Sequence, residues 1–269
     1  MFRCPVCKDA LARTHRSWRC AADHSYDVAK EGYVNLLITH QRRQREPGDS
    51  ADMLRHRRAF LDAGHYAPLK EAVTALVPAT DAAVLDVGCG EGYYTRDLPN
   101  PLWGVDIAKA AVRMAAKRAA TTAPGHHYAV ASAYDLPVLD DAADVVLSVF
   151  APLHSPEFER VLRPGGTVLT VVPGPRHLDG LKARFFDEPE PHPADGPFER
   201  DGAATALRPA ADPVAVTYDL ELVEPGAIAD LVHMTPYAWY VSPERRAEVV
   251  SGPSLFTTLD FRIFSYTVT

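Results

Sequence analysis

Residues 84–95, VLDVGCGEGYYT, decide the fold class of this chain. A mostly apolar strand runs into a loop with glycine at Gly88, Gly90 and Gly92, and a helix-like segment follows. Glycine lets the backbone turn sharply and approach a ligand closely, so this order of elements is typical of nucleotide-binding α/β sheets. Taken alone the pattern is weak, because plain turns also contain alternating glycines.

A carboxylate on the next strand strengthens this interpretation. Asp106 ends that strand 20 residues after Asp86, at the place where nucleotide-binding sheets hold a ribose diol. Asp106 could also cap the helix that follows, and the two roles are compatible. The third glycine comes one residue earlier than in the dinucleotide fingerprint, and Glu91 lies where a pyrophosphate would pass. A carboxylate repels phosphate and attracts an ammonium group, which favours S-adenosylmethionine as the ligand.

Alternating strand-like and helix-like runs beyond residue 83 predict a doubly wound α/β sheet with helices on both faces. The predicted strands are 83–87, 102–105, 127–131, 143–150 and 167–172. The predicted helices are 52–62, 66–76, 93–98, 109–120 and 157–162. Two further alternating segments, 214–223 and 261–268, predict an antiparallel edge pair, and residues 187–213 predict a loop.

Two short ligand pairs near the N-terminus predict a zinc site. Cys4-x2-Cys7 and Cys20-x3-His24 have the spacing of tetrahedral zinc, whereas Cys89 is left over in the glycine loop. The alternative is a set of unrelated reduced cysteines. All four ligands come from one short segment, which predicts a structural ion that supplies the folding energy of residues 1–38.

Composition and charge narrow the class of protein. The chain has 269 residues, 47% of them hydrophobic and 23% charged, as in an ordinary soluble globular protein. No apolar run approaches the roughly 20 residues of a membrane span, and the start lacks a secretory signal, so we expect a cytoplasmic protein without membrane contact. Residues 1–58 carry 12 Lys and Arg against 7 Asp and Glu, whereas the rest carry 16 against 28. The basic end could meet a polyanion or simply solubilise a small module.

Several motifs together resemble the RlmA family of large-subunit rRNA (guanine-N1)-methyltransferases. The glycine loop is similar to motif I of class I S-adenosylmethionine-dependent methyltransferases, and the turn RPGG at 163–166 is also common there. The family resemblance runs from residue 4 to the C-terminal strand. It is carried by the cysteine cluster and by 27–37 (DVAKEGYVNLL), 47–50 (PGDS), 58–66 (RAFLDAGHY), 86–95 (DVGCGEGYYT), 150–152 (FAP), 173–178 (PGPRHL) and 234–239 (MTPYAW).

The resemblance implies a Rossmann-like class I methyltransferase domain at 83–269, a linker with leading helices at 39–82, and a zinc module at 1–38 that recognises a hairpin of 23S rRNA. It also implies a homodimer with a cleft for RNA, and one branch of the family confers resistance to tylosin-type macrolides. The residues expected at S-adenosylmethionine are Tyr66, Gly88, Gly90, Glu91, Asp106 and His177, and those expected at zinc are Cys4, Cys7, Cys20 and His24.

Methylation at guanine N1 requires a base that is unpaired or flipped out, because N1 lies on the Watson–Crick edge. The pocket should lie beyond the carboxyl ends of the strands. We expect Phe150 to stack on the base and the backbone around Pro152 to contact its edge, although Phe150 could equally be a core residue. Trp239 could flank the pocket or pack a helix end. The candidates for accepting the N1 proton are His154, which could instead be an ordinary surface residue, and Glu157.

Phosphate contacts are expected from an arginine-rich segment, 41–50 (QRRQREPGDS), which has no apolar residue. The natural contacts are the arginines of this segment and of the helix-like run after it, with a plain solvated face as the alternative: Arg42, Arg43, Arg45, Arg55, Arg57 and Arg58. Two other classes of function stay open. The chain could methylate a small metabolite, or it could bind RNA without catalysis.

Overall fold

A computed structural model gives the fold and describes residues 1–38, 49–79, 81–123, 125–200 and 206–269. The strands are β1 Ala12–Arg13, β2 Ser17–Arg19, β3 Ser25–Asp27, β4 Val34–Asn35, β5 Val84–Val87, β6 Leu102–Asp106, β7 His127–Val130, β8 Ala143–Val149, β9 Leu162–Pro173, β10 Leu207–Pro209, β11 Val214–Leu222 and β12 Leu255–Val268. The helices are α1 Ala51–Asp62, α2 Ala67–Leu76, α3 Lys109–Thr122, α4 Ser155–Val161, α5 Asp179–Phe185, α6 Pro197–Arg200, α7 Pro225–Met234 and α8 Pro243–Val250, with a 3-10 helix at Pro236–Trp239.

One large mixed sheet organises the chain. Its strands lie in the order β10-β12-β9-β8-β5-β6-β7-β4, and β11 pairs with β12 outside that path. The strands from β9 to β4 are mutually parallel, whereas β12 is antiparallel to β9, β10 and β11. The doubly wound sheet with antiparallel strands at its C-terminal side is therefore confirmed. Within the described residues, no helix combines the length and apolar character that crossing a bilayer requires.

The order of the central strands creates a place for a ligand. After β5 the chain moves to β6 and β7 on one side, and it then returns to add β8 and β9 on the other side. The loops that leave β5 and β8 therefore diverge, and a crevice opens between them beyond the carboxyl ends of the strands. All four residues of β5 are buried, so the strand that leads into this crevice is held firmly within the core of the sheet.

Three predicted elements differ in the structure. Residues 93–97 form turns instead of a helix, with one helical bond from Arg96 N to Gly92 O (2.9 Å). Pro99 and Pro101 follow at once, so the segment is too short to propagate a helix. The predicted loop at 187–213 contains α6 and β10, and β12 begins six residues before the predicted start at 261.

The N-terminal segment packs onto the large sheet. Strands β1 to β3 form a small antiparallel sheet, and β4 adds to the edge of the large sheet with Val34 opposite Ala129. Phe2 is fully buried and forms an antiparallel bridge with Val138. The ring of Trp18 lies 5.2 Å from that of Phe2, in the same apolar cluster as Val138. The N-terminal sheet and the α/β domain therefore share a core.

Candidate functional site

A cavity of about 770 Å³ lies over the crevice between β5 and β8. Every residue predicted for the cofactor and for the target base lines this cavity, although the individual roles stay predictions. These residues are Tyr66, Gly88, Gly90, Glu91, Asp106, Phe150, Pro152, His177 and Trp239. Pockets for cofactor-sized ligands span about 300–1,000 Å³, so the cavity has the size of such a site.

The glycine loop folds tightly over the end of β6. Gly88 N and Cys89 N both donate to Val105 O, at 2.8 and 3.0 Å. Gly88 has a φ of +73°, and a Cβ built on it would lie 2.2 Å from the Cβ of Ala151. Only glycine fits here, because both the backbone conformation and the close approach of the loop after β8 exclude a side chain.

Asp106 connects the glycine loop to the next helix. Its Oδ2 accepts a hydrogen bond from Gly90 N at 2.9 Å, and its Oδ1 accepts one from Ala108 N at 2.7 Å. Burial raises the pKa of this carboxyl, whereas both backbone bonds lower it. Each carboxylate oxygen can accept a second hydrogen bond, so the group still has capacity for sugar hydroxyls.

Asp86 has a structural role beneath the loop. Its side chain is buried and accepts a hydrogen bond from the Thr95 hydroxyl at 2.7 Å. Burial raises the pKa of Asp86 to about 7, against the opposing effect of that hydrogen bond. Asp86 thus ties the end of β5 to the turn that follows the glycines.

Glu91 pairs with cations of the protein itself. Its carboxylate lies 2.8 Å from Arg58 Nε and 3.9 Å from Arg118 Nη1, and only 3% of its side chain is exposed. An ammonium group of a ligand would have to share Glu91 with Arg58. Sequence reasoning missed this pair, because nothing in the spacing of residues 58 and 91 indicates that α1 reaches the glycine loop.

Aromatic rings form the opposite wall. The rings of Tyr66 and His177 lie 5.0 and 4.7 Å from that of Phe261. Burial lowers the pKa of His177 to about 3, so its imidazole is neutral at neutral pH. Phe150 follows β8 with a φ of +53° and remains 44% exposed. A non-glycine residue in this conformation is strained, and such strain is concentrated at functional sites.

Neither predicted proton acceptor lines the cavity. Glu157 accepts from Leu136 N at 2.6 Å and pairs with Arg160 at 2.7 Å, so its carboxylate is held by the protein. His154 lies against the ring of Tyr134 at 5.4 Å. Among the described histidines, those that line the cavity are His177 and His192. His192 Nε2 lies 2.7 Å from the Tyr237 hydroxyl. Its sequence context, a Pro- and acid-rich run, carries no signal that could have identified it.

The four predicted zinc ligands come together in the N-terminal sheet. Their ligand atoms all lie within 4.8 Å of one another, with Cys20 Sγ and His24 Nδ1 3.3 Å apart and Cys7 Sγ and Cys20 Sγ 3.5 Å apart. Ligand atoms around tetrahedral zinc are about 3.3–3.8 Å apart, so the donor set fits the ion. The hydroxyl of Tyr26 lies 3.1 Å from Cys4 Sγ, as an outer partner of the site.

The arginines expected at phosphate fall into two groups. Arg42, Arg43 and Arg45 lie outside the described residues. Further along, Arg57 on α1 pairs with Asp49, and Arg58 pairs with Glu91.

Comparisons with known proteins agree with this architecture. A family model described as "RlmA, N-terminal" matches residues 2–45, and one described as "Methyltransferase domain" matches residues 85–170. A 23S rRNA (guanine(748)-N(1))-methyltransferase of Streptomyces fradiae is 34% identical, over 93% of this chain and 90% of that protein. A protein of Micromonospora griseorubida, provisionally named as a 23S rRNA (guanine-N(1)-)-methyltransferase, is also 34% identical, over 95% and 94%.

A solved structure shows the same fold. Phosphoethanolamine N-methyltransferase 2 of Haemonchus contortus, in complex with S-adenosyl-L-methionine, superimposes with a TM-score of 0.50 at 17% identity. The match covers 80% of this chain and 56% of that one.

Proposed function

The chain belongs to the RlmA family of 23S rRNA (guanine-N1)-methyltransferases, and we propose that it transfers a methyl group from S-adenosylmethionine to N1 of a guanine in a hairpin of 23S rRNA. The observation that carries the proposal is the cavity between β5 and β8. Asp106 and the glycine loop line one side of it, and exposed aromatic rings line another. That combination suits a nucleoside cofactor beside a flipped base.

The residues of the glycine loop fit the cofactor. Asp106 would accept hydrogen bonds from the ribose hydroxyls, and the backbone at Gly88 and Gly90 would allow close approach. Tyr66, which is buried in the aromatic wall, would pack against the ligand. When bound, S-adenosylmethionine supplies an electrophilic methyl group. The protein then has to align guanine N1 with this methyl group and to hold the two in the geometry of an in-line attack.

The target base is proposed to stack between rings at the cavity mouth. Phe150 is 44% exposed and Trp239 is 64% exposed, and both line the cavity. Exposed aromatic rings are poor core residues, but they stack well on a base that has left its helix. Pro152, on the same loop as Phe150, would lie along the edge of that base.

The N1 proton has to leave the guanine, and we assign its acceptance to the pair of His192 and Tyr237. Both line the cavity, and the imidazole is oriented by the 2.7 Å contact with the phenol. An imidazole accepts protons near neutral pH, which matches the requirements of a general base. His177 is less suited, because burial lowers its pKa to about 3.

Recognition of the RNA is proposed to involve the zinc module and the basic segment beside it. Residues 1–58 carry an excess of positive charge, whereas the rest of the chain is acidic. Phosphate contacts by Arg42, Arg43 and Arg45 would make the affinity for RNA fall steeply with salt. A homodimer would supply two such basic segments to one RNA, and sedimentation velocity of the purified chain tests that part.

The deciding experiment incubates the protein with labelled S-adenosylmethionine and unmethylated 23S rRNA and then maps the modified nucleotide. We expect label at N1 of one hairpin guanine, and position 748, which the Streptomyces fradiae relative carries in its name, is the first to inspect. Turnover of small metabolites without RNA would instead favour a metabolite methyltransferase. RNA binding without any transfer would favour a non-catalytic RNA-binding protein.

A further inference from the structure

A second group of side chains that could hold a metal ion lies where α1 packs against α7, separate from the four cysteine and histidine ligands of the zinc module. Asp52 and His56 lie one turn apart on α1, and His233 lies on the last turn of α7. Each offers one ligand atom, and these atoms all lie within 4.8 Å of one another. We propose that Asp52, His56 and His233 bind a divalent transition-metal ion such as Zn²⁺.

The three ligand atoms are arranged almost as they would be around a bound ion. The imidazole rings of His56 and His233 are stacked, with centroids 4.8 Å apart and planes 26° from parallel. His56 Nε2 lies 3.8 Å from Asp52 Oδ2. Nitrogen and oxygen ligands of tetrahedral zinc lie about 3.3 Å apart, so small side-chain rotations bring the three atoms into range. Two imidazoles and one carboxylate leave a fourth position for water.

An outer partner orients the first imidazole. His56 Nδ1 lies 2.7 Å from Oδ1 of Asp230, which is half-buried on α7. Carboxylates in this position hold the proton on Nδ1 and leave the lone pair of Nε2 for the metal. Nε2 is also the nitrogen that faces Asp52, so the carboxylate of Asp230 prepares the correct side of the ring.

The site already attracts a positive charge. Nη2 of Arg55 lies 2.5 Å from Asp52 Oδ1 and 3.3 Å from His56 Nε2. The side chain of Arg55 is 69% exposed, so its guanidinium can move into solvent when a metal ion takes its place. Arg55 is therefore a competitor of the ion, and its removal should strengthen metal binding.

A metal ion here would fix one wall of the cavity. Met53 and Arg57 of α1 and Met234 of α7 line the cavity, and each lies within three residues of a proposed ligand. An ion shared by the two helices would hold them in one relative position. It would also stabilise the folded chain, because an ion that binds only the native state adds its binding free energy to the stability.

The test counts metal ions. Protein saturated with Zn²⁺ and freed of excess ion should contain two equivalents per chain by mass spectrometry, and His233→Gln should contain one. The matched control His154→Gln, which touches neither group of ligands, should contain two. Arg55→Met should retain the second ion against a higher concentration of a competing chelator than the unaltered chain does.

Cobalt distinguishes the two centres by their colour. Cobalt in the zinc module should give intense thiolate-to-cobalt bands. Cobalt in the proposed site should add weak visible bands without a thiolate component, and His56→Gln should remove these weak bands. Cofactor binding by each variant shows that the fold is intact. Saturation at one equivalent, or a second equivalent that survives both histidine substitutions in folded protein, would overturn the proposal. Neither outcome depends on methylation of RNA.

Discussion

Gly90 donates its backbone N–H to Asp106 Oδ2 over 2.9 Å, so the carboxylate expected to hold the ribose also holds the glycine loop. Its second oxygen accepts from Ala108 N at the start of α3. One side chain therefore positions two backbone segments that contact the cavity. This arrangement prepares the site before any ligand arrives, because the loop need not be ordered by the ligand itself.

Replacing this carboxylate should weaken cofactor binding more than it weakens the fold. In Asp106→Asn one oxygen becomes a donor and the charge is lost, so hydrogen bonds worth about 1.5–3 kcal/mol each are removed. We expect the affinity for S-adenosylhomocysteine, measured by calorimetry, to fall at least tenfold. The exposed carboxylate of Asp140 provides the control, because Asp140→Asn should bind normally. An unchanged affinity in Asp106→Asn would contradict the ribose assignment.

Asp86 predicts a pH dependence of stability. Its pKa is about 7 in the folded chain and near 3.8 when unfolded, so between these values the folded state binds more protons than the unfolded state. The contribution of Asp86 to stability is therefore fully present below pH 3.8 and is lost as the pH rises towards 7. Asp86→Asn cannot ionise, so its stability relative to the unaltered chain should rise over this range. Denaturant unfolding at pH 5 and pH 7.5 measures the effect, and a parallel pH dependence of the two proteins would refute it.

Removal of zinc should affect more than the N-terminal sheet. Chelation is expected to unfold residues 1–38 while the α/β domain persists, but Phe2 and Trp18 then leave a core that they share with Val138. The remaining domain should unfold at lower denaturant concentration, and Phe2→Ala alone should cost about 3–5 kcal/mol. Hydrogen exchange locates the loss. Cys89→Ser, outside the metal site, should leave the zinc content unchanged.

Much of the fold could be predicted because the parallel strands are apolar and the turns and helices between them contain glycine or proline. The residues of β5 and the loop with Gly88 are neighbours in sequence, so their pattern alone predicts a strand followed by a ligand-binding turn. Contacts between distant segments were not predictable in this way. Nothing near Val34 indicates that β4 pairs with β7, and the pair of Arg58 and Glu91 depends on how α1 packs. The second histidine of the cavity, His192, lies in a segment without periodicity.

The backbone of Phe150 predicts an unusual order of stabilities. With a φ of +53°, any residue that has a Cβ is strained by about 1–2 kcal/mol, whereas glycine is not. Phe150→Gly should therefore be about 1 kcal/mol more stable than Phe150→Ala, the reverse of the usual preference for alanine. Both variants should lose methyl transfer to RNA, because both lack the ring. Denaturant unfolding of the two proteins tests the first statement, and equal activity to the unaltered chain would refute the second.

His192 should control the pH dependence of methyl transfer. If the imidazole accepts the N1 proton, His192→Gln should lower the single-turnover rate by about 10²–10⁴-fold and leave the affinity for S-adenosylhomocysteine unchanged. The rise of the rate with pH that comes from deprotonation of the imidazole should also be lost. Asp86 lines the cavity too, with a pKa of about 7, so the profile of Asp86→Asn shows which part of the pH dependence belongs to that carboxyl. Tyr237→Phe removes the phenol that lies 2.7 Å from the ring, so it should shift the midpoint of that rise and reduce the rate by a smaller factor. His154→Gln serves as the control, since its ring does not line the cavity, and its profile should match that of the unaltered chain. A purely structural role for His192 would lower the rate equally at every pH, and that result would move the proton to another acceptor.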